Sequence, residues 1–182
     1  TVWAIVGHTA ERFWLGTAAG PWLFDAKLEK ATRISSFKPL SNQLALLERS
    51  VVYTVCQLSD GRVAFGTDRG VYVLMKDSIF LINASEGLAS EKVRVLTEDS
   101  NGALWIGTMK GVFRSKDGQL LGYSAKHALP LVPVTGMEFD EKGNLLCSMY
   151  EHGVMKLDPM NLEKKPALFG SDEGLFSRKV LF

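Results

Sequence analysis

Hydrophobic and polar positions follow one another along this chain in a pattern that returns about every forty residues. Each copy opens on a valine and continues through a short mixed segment to a polar turn, which is rich in Asp, Asn and Gly in the last three copies. A strongly apolar segment comes next and, in the first three copies, ends at a Gly-Thr-x-x-Gly step. The clearest copy runs from Val93 to Val112. Periods of this length that are built from short strands are typical of β-propellers.

The spacing inside and between the copies supports one repeated unit. The opening valine precedes the glycine of the Gly-Thr step, or the serine that replaces it, by 14 residues each time. The four pairs are Val2 and Gly16, Val52 and Gly66, Val93 and Gly107, and Val134 and Ser148. The steps are 41 residues apart except in the first interval, which is 50 residues long and therefore contains an insertion.

Each copy predicts a small antiparallel sheet. The turn at 99–102 carries Asp, Asn and Gly, which supply the positive φ angles that tight hairpins need. The following strand, 103–106, is apolar on both faces and is expected to be buried on both. No segment has the caps and length of an amphipathic helix. We therefore predict an all-β fold of about four four-stranded antiparallel blades, with repeats near 2–51, 52–92, 93–133 and 134–179.

The blades are expected to form part of a larger ring. Glu86-Gly87-Leu88 returns as Glu173-Gly174-Leu175, about two repeats later, so a fifth repeat opens at the C-terminal end. Uncovered flanks on the first and last blades would expose apolar surface. We expect these flanks to be covered by further residues, by closure into a small ring, or by a second chain in a homodimer through the terminal blades.

Equivalent positions in the repeats predict the core. Trp14 and Trp105 share one slot of the second strand with Ala64 and Leu146. Cys147 takes the slot next to it, where the other copies have large apolar residues, and is expected to be a buried hydrophobe. Cys56 and Cys147 fall two blades apart, which argues against a disulfide between them.

The motif Val-x-x-Leu-x-Glu-Asp-x-x-Gly-x-Leu-Trp-Ile-Gly-Thr-x-x-Gly-Val resembles the two-component regulator propeller repeat. The likeness is strongest at Val93–Phe113 and weakest at Val134–Leu157, where Ser148-Met149 replaces Gly-Thr. The resemblance implies signal reception rather than catalysis, by the periplasmic, extracytoplasmic part of a membrane-anchored bacterial regulator with a histidine kinase or diguanylate cyclase output module.

Composition and residue spacing argue against nucleic-acid binding, metal binding and catalysis. Lys and Arg number 21 against 20 Asp and Glu, so the basic footprint of a nucleic-acid binder is absent. The three histidines, His8, His127 and His152, share no spacing that suggests a metal site or a catalytic triad. The Gly-Thr-x-x-Gly step lacks the Gly-Lys-Ser/Thr ending of a phosphate loop. We expect no catalytic residues, no metal and no cofactor.

The residues expected to bind a ligand or partner are those that differ between the repeats while the rest of the repeat motif is kept. The turns between second and third strands and the connections between blades are predicted to emerge on one face, which would suit a small polar ligand or a protein partner. The candidate residues are Asp68, Arg69, Lys92, Met109, Lys110, Tyr150, Glu151 and His152.

Two other functions stay open at this point. One is a propeller enzyme of the lyase or lactonase type, which would need acid–base or metal-binding residues at matching axial positions. The residues that begin the first strands, Val2-Trp3, Val52-Tyr53, Val93-Arg94 and Val134-Thr135, do not supply such a set. The other is a scaffold that binds only proteins.

Overall fold

Four antiparallel sheets of four strands each follow one another along the chain, and in every sheet the spatial order of the strands is their order in sequence. The computed structural model describes residues 1–36, 41–76 and 78–174. This arrangement confirms the predicted all-β propeller of four-stranded blades. The predicted repeat landmark at Glu173-Gly174-Leu175 lies partly outside the described residues.

The sixteen strands are distributed evenly over the blades. The first blade contains β1 (Val2–Gly7), β2 (Arg12–Thr17), β3 (Gly20–Asp25) and β4 (Lys30–Arg33). The second contains β5 (Val52–Gln57), β6 (Val63–Thr67), β7 (Gly70–Leu74) and β8 (Ile79–Ile82). The third contains β9 (Val93–Glu98), β10 (Leu104–Thr108), β11 (Gly111–Lys116) and β12 (Gln119–Gly122). The fourth contains β13 (Val134–Phe139), β14 (Leu145–Met149), β15 (Gly153–Leu157) and β16 (Ala167–Phe169).

Short helices occupy the connections between blades. They are α1 (Asn42–Leu47), α2 (Tyr123–Lys126) and three 3-10 turns at Ile34–Ser36, Ala84–Glu86 and Ser171–Glu173. The α1 helix fills the insertion of the first connection. The Ser41 hydroxyl caps it by accepting the Leu44 N–H at 3.1 Å. Sequence analysis missed this helix because six residues are too few to show a helical period.

The core consists of three apolar clusters, and each lies between two neighbouring blades. Trp14 of the first blade meets Phe65 of the second edge-on, with ring centroids 5.5 Å apart. Trp105 is fully buried in the interface between the third and fourth blades. Trp14 and Trp105 occupy equivalent positions in the pairing of the first and second strands of their blades, as predicted. Leu146 holds the same slot in the fourth blade but is only half-buried, because no described blade covers it.

A socket between valine and glycine joins each blade to the next. A Cβ atom placed on Gly16, Gly66 or Gly107 would lie only 2.7–2.9 Å from a valine Cγ1 of the following blade. The valines are the fully buried opening residues of those blades, Val52, Val93 and Val134. Valine and glycine recur together because each valine fills the space that the preceding blade leaves by lacking a side chain.

The fourth blade exchanges the two facing positions between its first and second strands. In the first three blades, Gly16, Gly66 and Gly107 face a residue with a side chain on the first strand. In the fourth, Ser148 faces Gly136, so the glycine has moved to the partner strand. The copy that looked degenerate in sequence therefore keeps one glycine in the pair.

Candidate functional site

Every blade has a β-bulge immediately after its opening valine. The register of the first strand slips by one residue at this point in all four blades. A bulge leaves one residue unpaired and turns its side chain away from the regular pleat. The unpaired residues are Trp3, Tyr53, Arg94 and Thr135, which we call the bulge row.

The bulge row lies on the inner strands of the propeller. The first strands of successive blades, β1, β5, β9 and β13, pack side by side, whereas the outer strands diverge. The rings of Trp3 and Tyr53 are 6.5 Å apart between centroids. The guanidinium of Arg94 lies over the Tyr53 ring, 4.9 Å from its centroid. Three consecutive blades thus bring two aromatic rings and one cation into contact.

This row is accessible and carries charge. Trp3 is 56% exposed, and Arg94 is exposed as well. Among the described residues no carboxylate lies within ion-pair distance of Arg94, whereas Arg12, Arg62 and Arg114 each pair with an aspartate. A stacked guanidinium still presents its N–H edge, which suits bidentate binding of an oxyanion.

The predicted turn residues emerge at the same end of the blades as the bulge row. The start of each first strand pairs with the end of the second, so that Val52 lies opposite Thr67. In the second blade the Asp68 carboxylate accepts the Val51 N–H at 2.9 Å, which gives this candidate a structural role. The neighbouring Arg69 side chain is exposed.

In the third blade the backbone of the candidates supports the fold while the side chains remain exposed. The Met109 N–H donates to the Lys92 carbonyl at 3.1 Å, and the Lys110 N–H donates to the Thr108 hydroxyl at 3.0 Å. The side chains of Lys92, Met109 and Lys110 are all exposed. They are free to meet a ligand or partner beside Arg94.

The turn of the fourth blade is one residue longer than the others. Tyr150, Glu151 and His152 form a three-residue loop, with Glu151 in the left-handed region at φ 59°. Tyr150 is half-buried, and its N–H donates to the Pro133 carbonyl at 2.8 Å. A ring nitrogen of His152 lies 3.0 Å from the Tyr150 carbonyl oxygen. Glu151 and His152 are the exposed members of this turn.

The connection between the third and fourth blades, which was expected to emerge on the same face, directs two of its side chains toward the fourth blade. Lys126 pairs with Glu163, and His127 contacts the Leu162 carbonyl oxygen at 2.9 Å. Glu163 and Leu162 belong to the loop between β15 and β16, which lies at the opposite end of the fourth blade from the Tyr150–His152 turn. These two side chains therefore contribute to the contact between blades.

The hairpins at the other end of the blades are structural. The buried Asp99 accepts backbone N–H groups of its own turn and the indole N–H of Trp105 at 2.9 Å. Glu98 reaches across the blade boundary, where its carboxylate accepts the Ser59 N–H at 2.7 Å. Turn formation by Asp99 was predicted. The contact of Glu98 with the neighbouring blade was not visible in the repeat.

Two features of the described residues bear on nucleophilic and metal chemistry. Burial raises the pKa of the Cys147 thiol to about 12, and burial together with Glu98 raises that of Cys56 to about 11. Both cysteines are free. Within 1–36, 41–76 and 78–174, no three His, Cys, Asp or Glu residues are grouped so that they could hold a metal ion. No helix in these ranges is long and apolar enough to span a membrane.

Sequence reasoning passed over the bulge row, although a signal was present. The opening valine is invariant in the four copies, whereas the next residue is a different one in each copy. In the sequence, these residues were informative only because they lack the acid–base or metal-binding groups that a propeller enzyme would need. A register slip depends on how two strands pair, so the sequence alone does not reveal the bulge.

Comparison with known proteins agrees with the repeat and the fold. Residues 87–110 match the family model described as two component regulator propeller. No curated protein matches the sequence. The extracellular domain of a hybrid two component system from B. thetaiotaomicron is similar in structure, with a TM-score of 0.73 and 19% identity, covering 98% of this chain and 23% of that one.

Two further solved structures share the fold. Virginiamycin B lyase from Staphylococcus aureus has a TM-score of 0.69 and 16% identity, covering 92% of this chain and 55% of the lyase. PorZ, a surface component of the type-IX secretion system of Porphyromonas gingivalis, has a TM-score of 0.68 and 15% identity. The match covers 98% of this chain and 28% of PorZ. This chain spans about a quarter to a half of the proteins it resembles. It is a β-propeller in which residues 87–110 match the two component regulator propeller model.

Proposed function

We propose that this chain is a non-catalytic sensor segment of a bacterial signalling protein and that it receives its signal outside the cytoplasm, in the periplasm. The similarity to extracellular domains of two component systems supports this function at the level of the fold. Recognition takes place at the end of the blades that carries the bulge row and the variable turns. A small polar ligand or a protein partner is the species bound.

The observation that carries this proposal is the bulge that recurs in all four blades. Bulges are designed features that re-aim side chains, and they are common next to functional sites. A propeller needs the opening valine at each blade boundary, but nothing in the packing requires Trp3, Tyr53, Arg94 or Thr135. Each of the four successive blades places a different side chain at this position near the axis.

The test is a ligand screen on the purified chain. Sugars, amino acids and organic acids at millimolar concentration are added, and thermal unfolding reports binding, because a ligand of the native state raises the melting temperature. Arg94→Gln should clearly reduce the shift that a true ligand produces, because a charge-assisted hydrogen bond to the ligand is lost. Arg62→Gln, which changes a partly exposed arginine in a hairpin at the opposite end, should leave the shift intact.

The same screen separates the sensor from an enzyme. The lyase similarity concerns the fold, and a propeller lyase would convert the compound that it binds. Mass spectrometry of each stabilising compound after long incubation should show it unchanged. A compound that is consumed, or a stabilisation that is equal in Arg94→Gln and the parent, would contradict the proposed function.

We also propose that two copies of the isolated chain cover their terminal blades in a homodimer. Val2 corresponds to the buried opening valines of the other blades but is 57% exposed, and Ile5 on the same strand is exposed as well. On the last blade, Gly136, Leu146 and Val154 line an apolar concavity of about 350 Å³. The first blade of one copy against the last blade of another would reproduce the contacts found between consecutive blades.

A further inference from the structure

The bulge row combines two kinds of recognition in one continuous contact. Trp3 presents a half-exposed ring, and Tyr53 lies between it and Arg94. An exposed indole face binds apolar ring surface, and an unpaired guanidinium binds an oxyanion. A ligand that fits both must carry a ring at one side and a negative charge at the other.

We propose that the bulge row binds a small ring-bearing carboxylate, whose ring packs on Trp3 and whose carboxylate meets Arg94. This inference deepens the proposed function and rests on it. The stacking of Arg94 on Tyr53 fixes the plane of the guanidinium, so that less rotamer freedom is lost when an anion binds.

The charges around the row favour an anion. Arg69, Lys92 and Lys110 project at the same end of the second and third blades with exposed side chains. The nearest carboxylates of these connections are partly engaged, since Asp68 accepts the Val51 N–H and Glu91 accepts the Ala84 N–H at 3.4 Å. The positive groups therefore remain available to a ligand to a greater extent than the negative ones.

The fourth member of the row limits the site. The Thr135 hydroxyl lies 2.8 Å from the Ser148 hydroxyl, so it is held by its own blade. The aromatic and cationic part of the row thus spans the first three blades and ends there. The proposed ligand therefore lies within these three blades, with its ring over the first blade and its charge over the third.

The probes for the test are 2-naphthoate, which has a ring and a carboxylate, and 2-naphthamide, which has the same ring without the charge. Acetate supplies the charge without the ring. Titration calorimetry on the full chain compares the parent with Trp3→Ala, Arg94→Gln and the control Arg62→Gln. Thermal melts of each variant establish that it is folded.

We expect 2-naphthoate to bind the parent more tightly than 2-naphthamide or acetate. Arg94→Gln should weaken 2-naphthoate about tenfold, as expected for a lost charge-assisted hydrogen bond, and leave 2-naphthamide unchanged. Trp3→Ala should weaken both ring compounds. If Trp3→Ala is unfolded, the comparison of the two ring compounds on the parent and on Arg94→Gln still decides the matter.

Failure of this inference differs from failure of the proposed function. Absence of 2-naphthoate binding, or binding that Arg94→Gln does not change, overturns the ring-bearing carboxylate. If another compound of the screen still stabilises the parent and loses its effect in Arg94→Gln, the site itself stands. If no compound depends on Arg94, both proposals are wrong.

Discussion

Val93 and Arg94 are neighbours on one strand, yet they differ in every physical respect. Val93 is fully buried and packs against Gly66 of the preceding blade. Arg94 is exposed, unpaired in the ladder, and stacked on Tyr53. The first position is valine in all four repeats, and the second is a different residue in each.

Under the proposed function, this difference lets one repeated unit serve both stability and recognition. The socket between valine and glycine is so tight that a Cβ added to Gly16, Gly66 or Gly107 would overlap the valine of the next blade. The bulge releases the very next residue from the pleat and from the blade boundary. Changes in the socket should therefore affect folding, whereas changes in the bulge row should affect binding.

Truncation of a boundary tryptophan should have the largest effect on stability. Trp105→Ala removes a fully buried side chain and is expected to cost about 3–5 kcal/mol of unfolding free energy. Trp3→Ala removes a tryptophan of the bulge row and should cost no more than about 1 kcal/mol. Urea denaturation of the two variants measures both. Equal losses of unfolding free energy would contradict the assignment of Trp105 to the core and of Trp3 to the exposed bulge row.

Filling the socket should be the next most damaging change. In Gly107→Val the new side chain would meet Val134 of the next blade and Val95 of its own, and we expect a loss of about 2–3 kcal/mol. The glycine has no positive φ, so the reason is close packing and not backbone strain. Gly7→Val is the matched control, since a Cβ there meets nothing within 4 Å. A Gly107→Val variant as stable as Gly7→Val would contradict the socket.

Much of the blade structure could be predicted from the sequence, because the sequence motif of a blade repeats. Four copies gave the strands, the hairpins and the shared slot of Trp14 and Trp105. Features that depend on pairing between strands could not be predicted, such as the bulges and the exchange of Gly136 with Ser148. A third copy of the Gly-Leu connection was hidden because Ala128 takes the left-handed position at φ 50° that Gly87 fills elsewhere.

Exposure of the terminal flanks should show in self-association. Sedimentation equilibrium over a wide concentration range is expected to reveal a dimer of the isolated chain. Ile5→Asp places a charge on the open flank of the first blade and should weaken that dimer at least about tenfold, as expected when a charge is buried without a partner. Leu28→Asp changes an equally exposed leucine in the turn after β3 and should have no effect. A chain that is monomeric at every concentration would rule out the dimer.

The smallest expected effect is a pH dependence in the fourth blade. Lys156, whose Nζ lies 2.7 Å from the Asp140 carboxylate, and the amide of Asn144 hold the pKa of Asp140 well below its ordinary value. Because the folded pKa is the lower one, this contact stabilises the fold above about pH 4 and is lost as the pH falls further. The stability gap between the parent and Asp140→Asn should therefore narrow from pH 7 to pH 3. A gap independent of pH would show that the ion pair contributes nothing.

The most direct test of the account is urea denaturation of Val93→Ala and Arg94→Ala, each with and without the most stabilising compound of the ligand screen. Without ligand, Val93→Ala should lose about 2 kcal/mol because two buried methyl groups are removed, and Arg94→Ala no more than about 1 kcal/mol. Ligand at a hundred times its Kd for the parent should add about 2.7 kcal/mol to the parent and to Val93→Ala, but about 1.4 kcal/mol or less to Arg94→Ala, for which binding is expected to be at least about tenfold weaker. Equal ligand stabilisation of the two variants would contradict the division between frame and bulge row.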